Sequence, residues 1–492
     1  MRRGYLRARA GRGWSLATLG PNEARFLFDL ALASGALLAA ALFLRAFLPA
    51  IAVTPLRGLA LPLLFLAGNL ALGTYSRLRL ARSAVKSAAL TCSVAGAAAL
   101  AGLLGAAPAL IALWALLVLP TAVSARVLLG LSYDTRSPLT PLAAASHGPV
   151  LVIGGAGYIG SATVEHLLAR GHRVRVLDRL MYGRESLAPF EGLSNFELLE
   201  GDATDISKLT AAMRHASAVV HLGGLVGDPA CAVDPDFTRH ANIIATRMAK
   251  EVAQSLGVRR FVFASSCSVY GASDQVMREN DSPNPVSLYA RTKVESEREL
   301  LRTVRDDFFV TILRFATVFG HSARPRFDLV ANLFVAQAMT QGVITVVGPR
   351  QWRPFVHVRD LARAIGATLE AEPQIIQSQV YNVGDDRLNL TIEELAQRVA
   401  ALTGRFREVR VTVEEGAEDP RNYRVSFAKI RAVLGFEAAT LLDEGLLEMA
   451  EHLRSGRYAN YRDAIYSNVA TTRAALHEFR EAPELYAPLH TS

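Results

Sequence analysis

Two hydrophobic patterns divide this chain of 492 residues. Over its first part, apolar residues run on with few polar interruptions in four segments, roughly 26–48, 59–75, 84–104 and 109–131. From Val150 onward they come instead in short runs, 150–153, 173–178, 196–202, 218–224, 260–266 and 310–315. Helix-period stretches separate most of these runs, which predicts alternating strands and helices and a parallel sheet with ligands along its strand ends.

The first pattern predicts an all-α transmembrane bundle over 26–131. About 20 residues at ~1.5 Å each cross a hydrocarbon core of ~30 Å, so the first and third segments are long enough outright and the second and fourth are marginal. Asp29 and Arg45 sit near the ends of the first, Pro120 should bend the fourth, and 105–108 leaves room only for a hairpin. Arginines crowd the basic start 1–25 and recur with Lys86 between the second and third segments, so both termini are expected on the cytoplasmic side. The formal charge of +8 then speaks for anionic lipid and not for nucleic acid. A bundle inside a soluble protein, or a cleaved leader, are the plainer alternatives. The three cysteines, Cys92, Cys231 and Cys267, show no metal or disulfide spacing. Residues 132–148 read as a linker, 149–453 as the catalytic domain, and 454–492 as a tail without an assigned role.

Candidate chemistry lies in the second pattern. Val150 to Ile153 pass into glycines 154, 155, 157 and 160 and then a helical pattern over 161–170. Such a strand, turn and helix hold a pyrophosphate against backbone N–H groups and the helix N-terminus. Asp178 ends the next strand 18 positions beyond Gly160, where a carboxylate binds an adenosine ribose and favours NAD; Arg179 and Arg184 leave NADP open. Asp202 is placed for an adenine amino group, and Gly223 and Gly224 leave room for the cofactor. Tyr289 and Lys293, four apart on a predicted helix, follow Ser266 at a strand end. A phenol is a poor base at neutral pH, but a neighbouring ammonium and nicotinium would stabilise its phenolate, with Ser266 holding the same substrate hydroxyl. A turn, a solvated acid and a surface pair are the bland readings of these motifs.

Together these residues resemble the extended short-chain dehydrogenase/reductase family, which includes UDP-galactose 4-epimerase and the sugar-nucleotide 4,6-dehydratases, over about 150–453. The resemblance implies a doubly wound Rossmann α/β sheet with a smaller C-terminal substrate part, mainly 320–453. It implies NAD held by Gly154, Gly157, Tyr158, Ile159, Gly160, Asp178, Asp202, Ala203, Leu222, Gly223, Asn242, Tyr289 and Lys293, with Ser266, Tyr289 and Lys293 catalytic. The stretch from Arg353 to Asp360 looks like a family signature with Pro354 in place of its acid, which implies that Arg353 meets the substrate pyrophosphate. Asp419, helped by Arg421, matches a ribose-binding residue, and Asn332 substitutes for a late-strand asparagine whose place Ala316 takes. The N-terminal half, with Leu72 to Arg79 closing its second segment, loosely resembles the four-helix module of membrane sugar-nucleotide dehydratases.

Dehydratases place an Asp-Glu pair after the catalytic Ser or Thr, where this chain has Cys267 and Ser268. The expectation is therefore a membrane-anchored nucleotide-sugar epimerase, acting at C4, on the cytoplasmic face of a bacterial inner membrane. A ketosugar reductase with exchangeable NAD(P) and a silent NAD-binding sensor stay open. Expected partners are the nucleotide sugar, membrane lipid, a second copy in a homodimer and enzymes of membrane glycan synthesis.

Overall fold

The computed structural model describes residues 148–302, 307–415, 419–458 and 460–481. The basic start, the four apolar segments and nearly all of the linker lie outside the described residues, as do 482–492 of the tail. Among the described residues no helix is long and apolar enough to cross a membrane.

The elements follow in chain order: β1 Val150–Ile153, α1 Tyr158–Ala169, β2 Val174–Asp178, β3 Phe196–Glu200, α2 Ile206–Met213, β4 Ala218–His221, α3 Ala245–Ser255, β5 Arg260–Ser266, β6 Ala272–Met277, α4 Leu288–Arg302, β7 Phe309–Phe315 and β8 Thr317–Phe319. Then come α5 Val330–Gln341, β9 Val343–Val346, β10 Trp352–His357, α6 Val358–Glu370, β11 Gln379–Val383, β12 Asn389–Thr391, α7 Ile392–Thr403, β13 Arg410–Val413, β14 Asn422–Val425, α8 Ala428–Leu434, α9 Leu442–Arg454 and α10 Asn468–Glu481.

Seven parallel strands form the main sheet in the order β11-β7-β5-β4-β1-β2-β3. The order reverses at β1, so a crevice opens where β1 and β4 diverge at their carboxyl ends. β1 is buried at all four positions, and its alternate residues serve two cores. Val150 and Val152 pack with Val164 and Leu167 of α1 and Leu361 and Ile365 of α6. Leu151 and Ile153 face Leu209 and Met213 of α2 and Ala249 and Ala253 of α3. A strand buried on both faces must be apolar throughout, which is why its sequence shows a run and no alternation. A third core joins α5, α7 and α9 to the small β9–β13 sheet through Val335, Ile344, Leu395, Val399, Leu446 and Met449.

The first helix begins at Tyr158, three residues earlier than its hydrophobic period suggests, because Gly157 takes the extended cap conformation (φ −76°, ψ −177°) and no side chain caps it.

Helix α4 is stitched to the end of β5 by two links. Lys293 Nζ donates to the Ala264 carbonyl at 2.8 Å, and Ser265 Oγ donates to Glu297 Oε1 at 2.5 Å. Tyr289, Lys293 and Glu297 recur every four residues and so share one helix face. Glu297 is itself held by Arg314 of β7, at 2.9 and 2.7 Å, and both are 4% exposed. Breaking such a pair from one side strands a buried charge. Glu297→Ala is expected to lower unfolding free energy by about 3–5 kcal/mol in denaturant titrations, and Glu297→Gln by clearly less; equal small losses would contradict this role.

Candidate active site

The glycine turn is shaped first by what the backbone must do. Gly154 has φ +84°, and a Cβ there would lie 2.7 Å from the Gly223 amide nitrogen, where β1 meets the strand end of β4. A Cβ on Gly160 would fall 2.1 Å from the Gly154 carbonyl oxygen, so the helix can close on the turn only without one. Gly157 differs: a Cβ there would meet protein only at 3.4 Å, and the residue faces the cavity. Its lack of a side chain leaves room for a ligand to approach the uncapped first turn of α1, the arrangement that suits a pyrophosphate.

One cavity brings most of the expected NAD residues together: Gly154, Gly157, Tyr158, Ile159, Gly160, Asp178, Asp202, Ala203, Leu222, Gly223, Tyr289 and Lys293 all line it, as does Ser266. Asp178 Oδ2 accepts from Ala156 N and Oδ1 from Leu180 N, both at 2.8 Å. Burial raises its pKa, and these two donors oppose the rise. Asp202 Oδ1 accepts from the amide and hydroxyl of Thr204, and Arg179 Nη1 stands 3.6 Å from its other oxygen. The Tyr158 hydroxyl is turned out of the cavity to the Gly320 carbonyl, 2.6 Å away.

Asn242 is placed differently from expectation. Its Oδ1 accepts from Leu225 N (2.7 Å), and its amide nitrogen donates to Leu225 O (3.1 Å) and Thr292 Oγ1 (3.0 Å). It does not line the cavity; it braces the 223–225 loop from behind.

At the reacting end, Ser266 and Tyr289 share the cavity wall, and Ser266 Oγ accepts from Ser268 Oγ at 2.9 Å. Ser268 is also on the wall, whereas Cys267 is fully buried with its thiol on the Arg314 carbonyl. Burial pushes the Tyr289 phenol well above its ordinary value; Cys231 and Asp228 act the same way, and Ser266 and Arg326 oppose them. The Lys293 ammonium is the group expected, together with a nicotinium, to oppose this rise. The ammonium is engaged by the Ala264 carbonyl and lies 4.8 Å from the Phe263 ring centroid and 5.8 Å from that of Tyr289. Burial lowers Lys293 itself to about 8.

On the substrate side, Arg421 reaches the cavity as Ser266 does, and the other expected residues do not. Arg421 forms a two-pronged pair with Asp419 and stands 2.9 Å from Asp228 Oδ2. Burial would raise Asp419, but Arg421 and Arg353 hold it down at about 2. Arg353 is 5% exposed and fully engaged, with Asp419 Oδ2 at 3.1 Å and the carbonyls of Trp352 and Arg421 at 2.8 and 2.5 Å. Asn332 is likewise off the wall: it accepts from Gly320 N and donates to Arg326 O and the Tyr158 hydroxyl. Here the expected pyrophosphate contacts give way to internal pairing, since a buried guanidinium or amide left alone is costly.

Sequence reasoning passed over Arg324, Arg326 and Asn468, all on the wall. The two arginines follow a late strand in the run Arg324-Pro325-Arg326-Phe327-Asp328, a position that could have flagged them. Nothing local marks Asn468.

A switch-point crevice, a cofactor-sized approach at Gly157 and a Ser, Tyr and Lys group at its far end define a dinucleotide-dependent enzyme of the short-chain dehydrogenase type. A model of the NAD dependent epimerase/dehydratase family matches residues 150–384. The UDP-glucose 4-epimerase of Mycolicibacterium smegmatis is 30% identical over 62% of this chain and 98% of its own length. The dTDP-glucose 4,6-dehydratase of Streptomyces niveus is also 30% identical, over 63% of this chain and 93% of its own. Among solved structures, MoeE5 in complex with UDP-glucuronic acid and NAD is 32% identical and superposes with a TM-score of 0.55, covering 63% of this chain and all of that one. The chain belongs to the NAD-dependent epimerase/dehydratase family, and NAD is its cofactor.

The buried ammonium has a testable consequence. Between pH ~8 and 10.5 the unfolded chain keeps a proton on Lys293 that the folded chain has released, so this group's destabilising effect is full below 8 and relieved above it. Lys293→Met is expected to be about 2 kcal/mol more stable than the parent at pH 7, with the gap closing toward pH 10.5. A variant less stable at pH 7 would show that the ammonium is not desolvated.

Proposed function

We propose that this protein is a nucleotide-sugar 4-epimerase. One observation carries the reading: Ser266, Tyr289 and Lys293 share the cavity wall, while the two positions after Ser266 hold a core-facing Cys267 and a neutral Ser268. Loss of water across C5 and C6 calls for an acid and a base there, and neither residue supplies them. The similarity to epimerases supports the same choice.

Ser266 orients the sugar hydroxyl, and the Tyr289 oxygen takes its proton as the C–H bond opens. NAD, when bound, accepts the hydride and gives it back. Tyr289 then returns the proton to the oxygen, and the sugar, turned over in between, receives hydrogen on its opposite face. The low exposure of Tyr289, 7%, keeps water from this exchange. Because burial raises the phenol, deprotonation depends on charge brought by the ligands, which couples chemistry to a filled site.

The apolar segments over 26–131 and the arginines before and between them support a further reading. They would anchor the domain to the cytoplasmic face of a bacterial inner membrane, where product can pass to membrane glycan synthesis. Full-length protein is expected in the membrane fraction after an alkaline wash; recovery in the soluble fraction would remove the anchor.

The purified full chain is expected to interconvert UDP-glucose and UDP-galactose, or their N-acetyl or uronic forms, without net NADH release. Tyr289→Phe should lower kcat by about 10²–10⁴ with NAD still bound. Stoichiometric consumption of added NADPH would instead make it a ketosugar reductase.

A further inference from the structure

One charged group on the cavity wall is left without a counter-charge. Arg324, in the loop between β8 and α5, is 4% exposed. Its guanidinium lies 3.7 Å from the Tyr182 ring centroid, and its Nη2 donates to Asn468 Oδ1 at 3.0 Å and Ile465 O at 3.2 Å. Its buried Nε has no hydrogen-bond partner among the described residues. Two positions on, Arg326 takes both oxygens of Asp328, at 3.0 and 2.8 Å. Two guanidinium groups therefore share one carboxylate, and the geometry gives it to Arg326. Burial lowers Arg324 to about 10, which leaves it charged at neutral pH. A buried, charged guanidinium on a cavity wall, with no carboxylate of its own, suits an anion in that cavity.

Its surroundings indicate which end of the cavity that anion occupies. Tyr182, the ring that the guanidinium covers, lines the cavity in the loop that follows β2. The same loop is tied to Asp178 through Leu180 N, which donates to Asp178 Oδ1 at 2.8 Å. The guanidinium thus stands beside the loop that leaves Asp178.

Its partner Asn468 is the first residue of α10, in the tail to which the sequence assigns no role. Asn468 Nδ2 also donates to Val226 O at 2.9 Å, and Ala475 and Leu476 of the same helix pack with Leu225, Cys231, Phe237 and Tyr289. The helix is therefore packed against the cavity wall as well as bonded to it.

We propose that Arg324 binds the diphosphate of the bound dinucleotide, and that α10 holds the guanidinium in place through Asn468 as a latch against cofactor loss. This rests on the NAD assignment. It suits an enzyme that must return a hydride to the sugar it came from, since a cofactor that leaves between half-reactions strands the keto intermediate. A nucleotide sugar carries a diphosphate too, so the test separates the two.

Full-length Arg324→Met and Asn468→Ala are compared with the parent for NAD released by acid per chain, NADH Kd by fluorescence, UDP Kd by calorimetry, and thermal midpoint without nucleotide. Arg324→Met is expected to weaken NADH at least tenfold and to leave UDP within twofold. Asn468→Ala should weaken NADH threefold or more, with less NAD retained in both. Unchanged NADH affinity in both variants overturns the proposal, and so does a loss confined to UDP, which would give the guanidinium to the nucleotide sugar. If Arg324→Met does not fold, the Asn468→Ala result decides. Failure of the parent itself to bind NADH would instead remove the NAD assignment beneath it.

Discussion

Two links between β5 and α4 set the position of everything that reacts. Ala264 holds Lys293, and the next residue, Ser265, holds Glu297 one turn further along the helix. A strand advances about 3.3 Å per residue and a helix about 6 Å per four residues, so two such links need the elements to cross at an angle and leave little freedom to slide. Glu297 carries the heaviest charge in this seam, and Arg314 of the neighbouring strand fixes it in turn, with Tyr270 joined to the same guanidinium at 3.0 Å. The reactive hydroxyls are thus placed by a buried ionic network one layer beneath them.

Burial also sets the chemical state of the site. It raises the phenol of Tyr289 and lowers the ammonium of Lys293, so both move toward neutrality. His221, at the end of β4 on the same wall, goes the same way, down to about 3. A reacting end whose groups are pushed toward neutrality is a poor place for a free phenolate and a good one for a charge that arrives with its ligand. Proton removal is thereby tied to cofactor and substrate being present together.

Charge is more abundant on the far side of the cavity, but it is mostly paired there. Arg353, Asp419, Arg421 and Asp228 form one chain of contacts, and Arg326 is matched with Asp328. These pairs keep arginines buried without ligand and hold the walls in place, and Arg421 is the member of that chain on the cavity surface together with Arg324 and Arg326.

Much of this was legible in the linear order of residues. Short apolar runs and the turns between them depend on burial and backbone preference within a few positions, so the six strands, the glycine turn and the Tyr289–Lys293 spacing could be read directly. The acid at 178 and the neutral pair at 267–268 are local in the same sense. What needed the folded chain were relations across long separations: that Asn242 faces Leu225 and not the cavity, that Arg353 is consumed by Asp419, that Lys293 is turned to Ala264, and that Asn468, 144 positions beyond Arg324, meets it. A polar side chain's type says what it can bind. Which partner takes it is decided by competition among all groups that packing brings within reach, and periodicity carries no record of that competition.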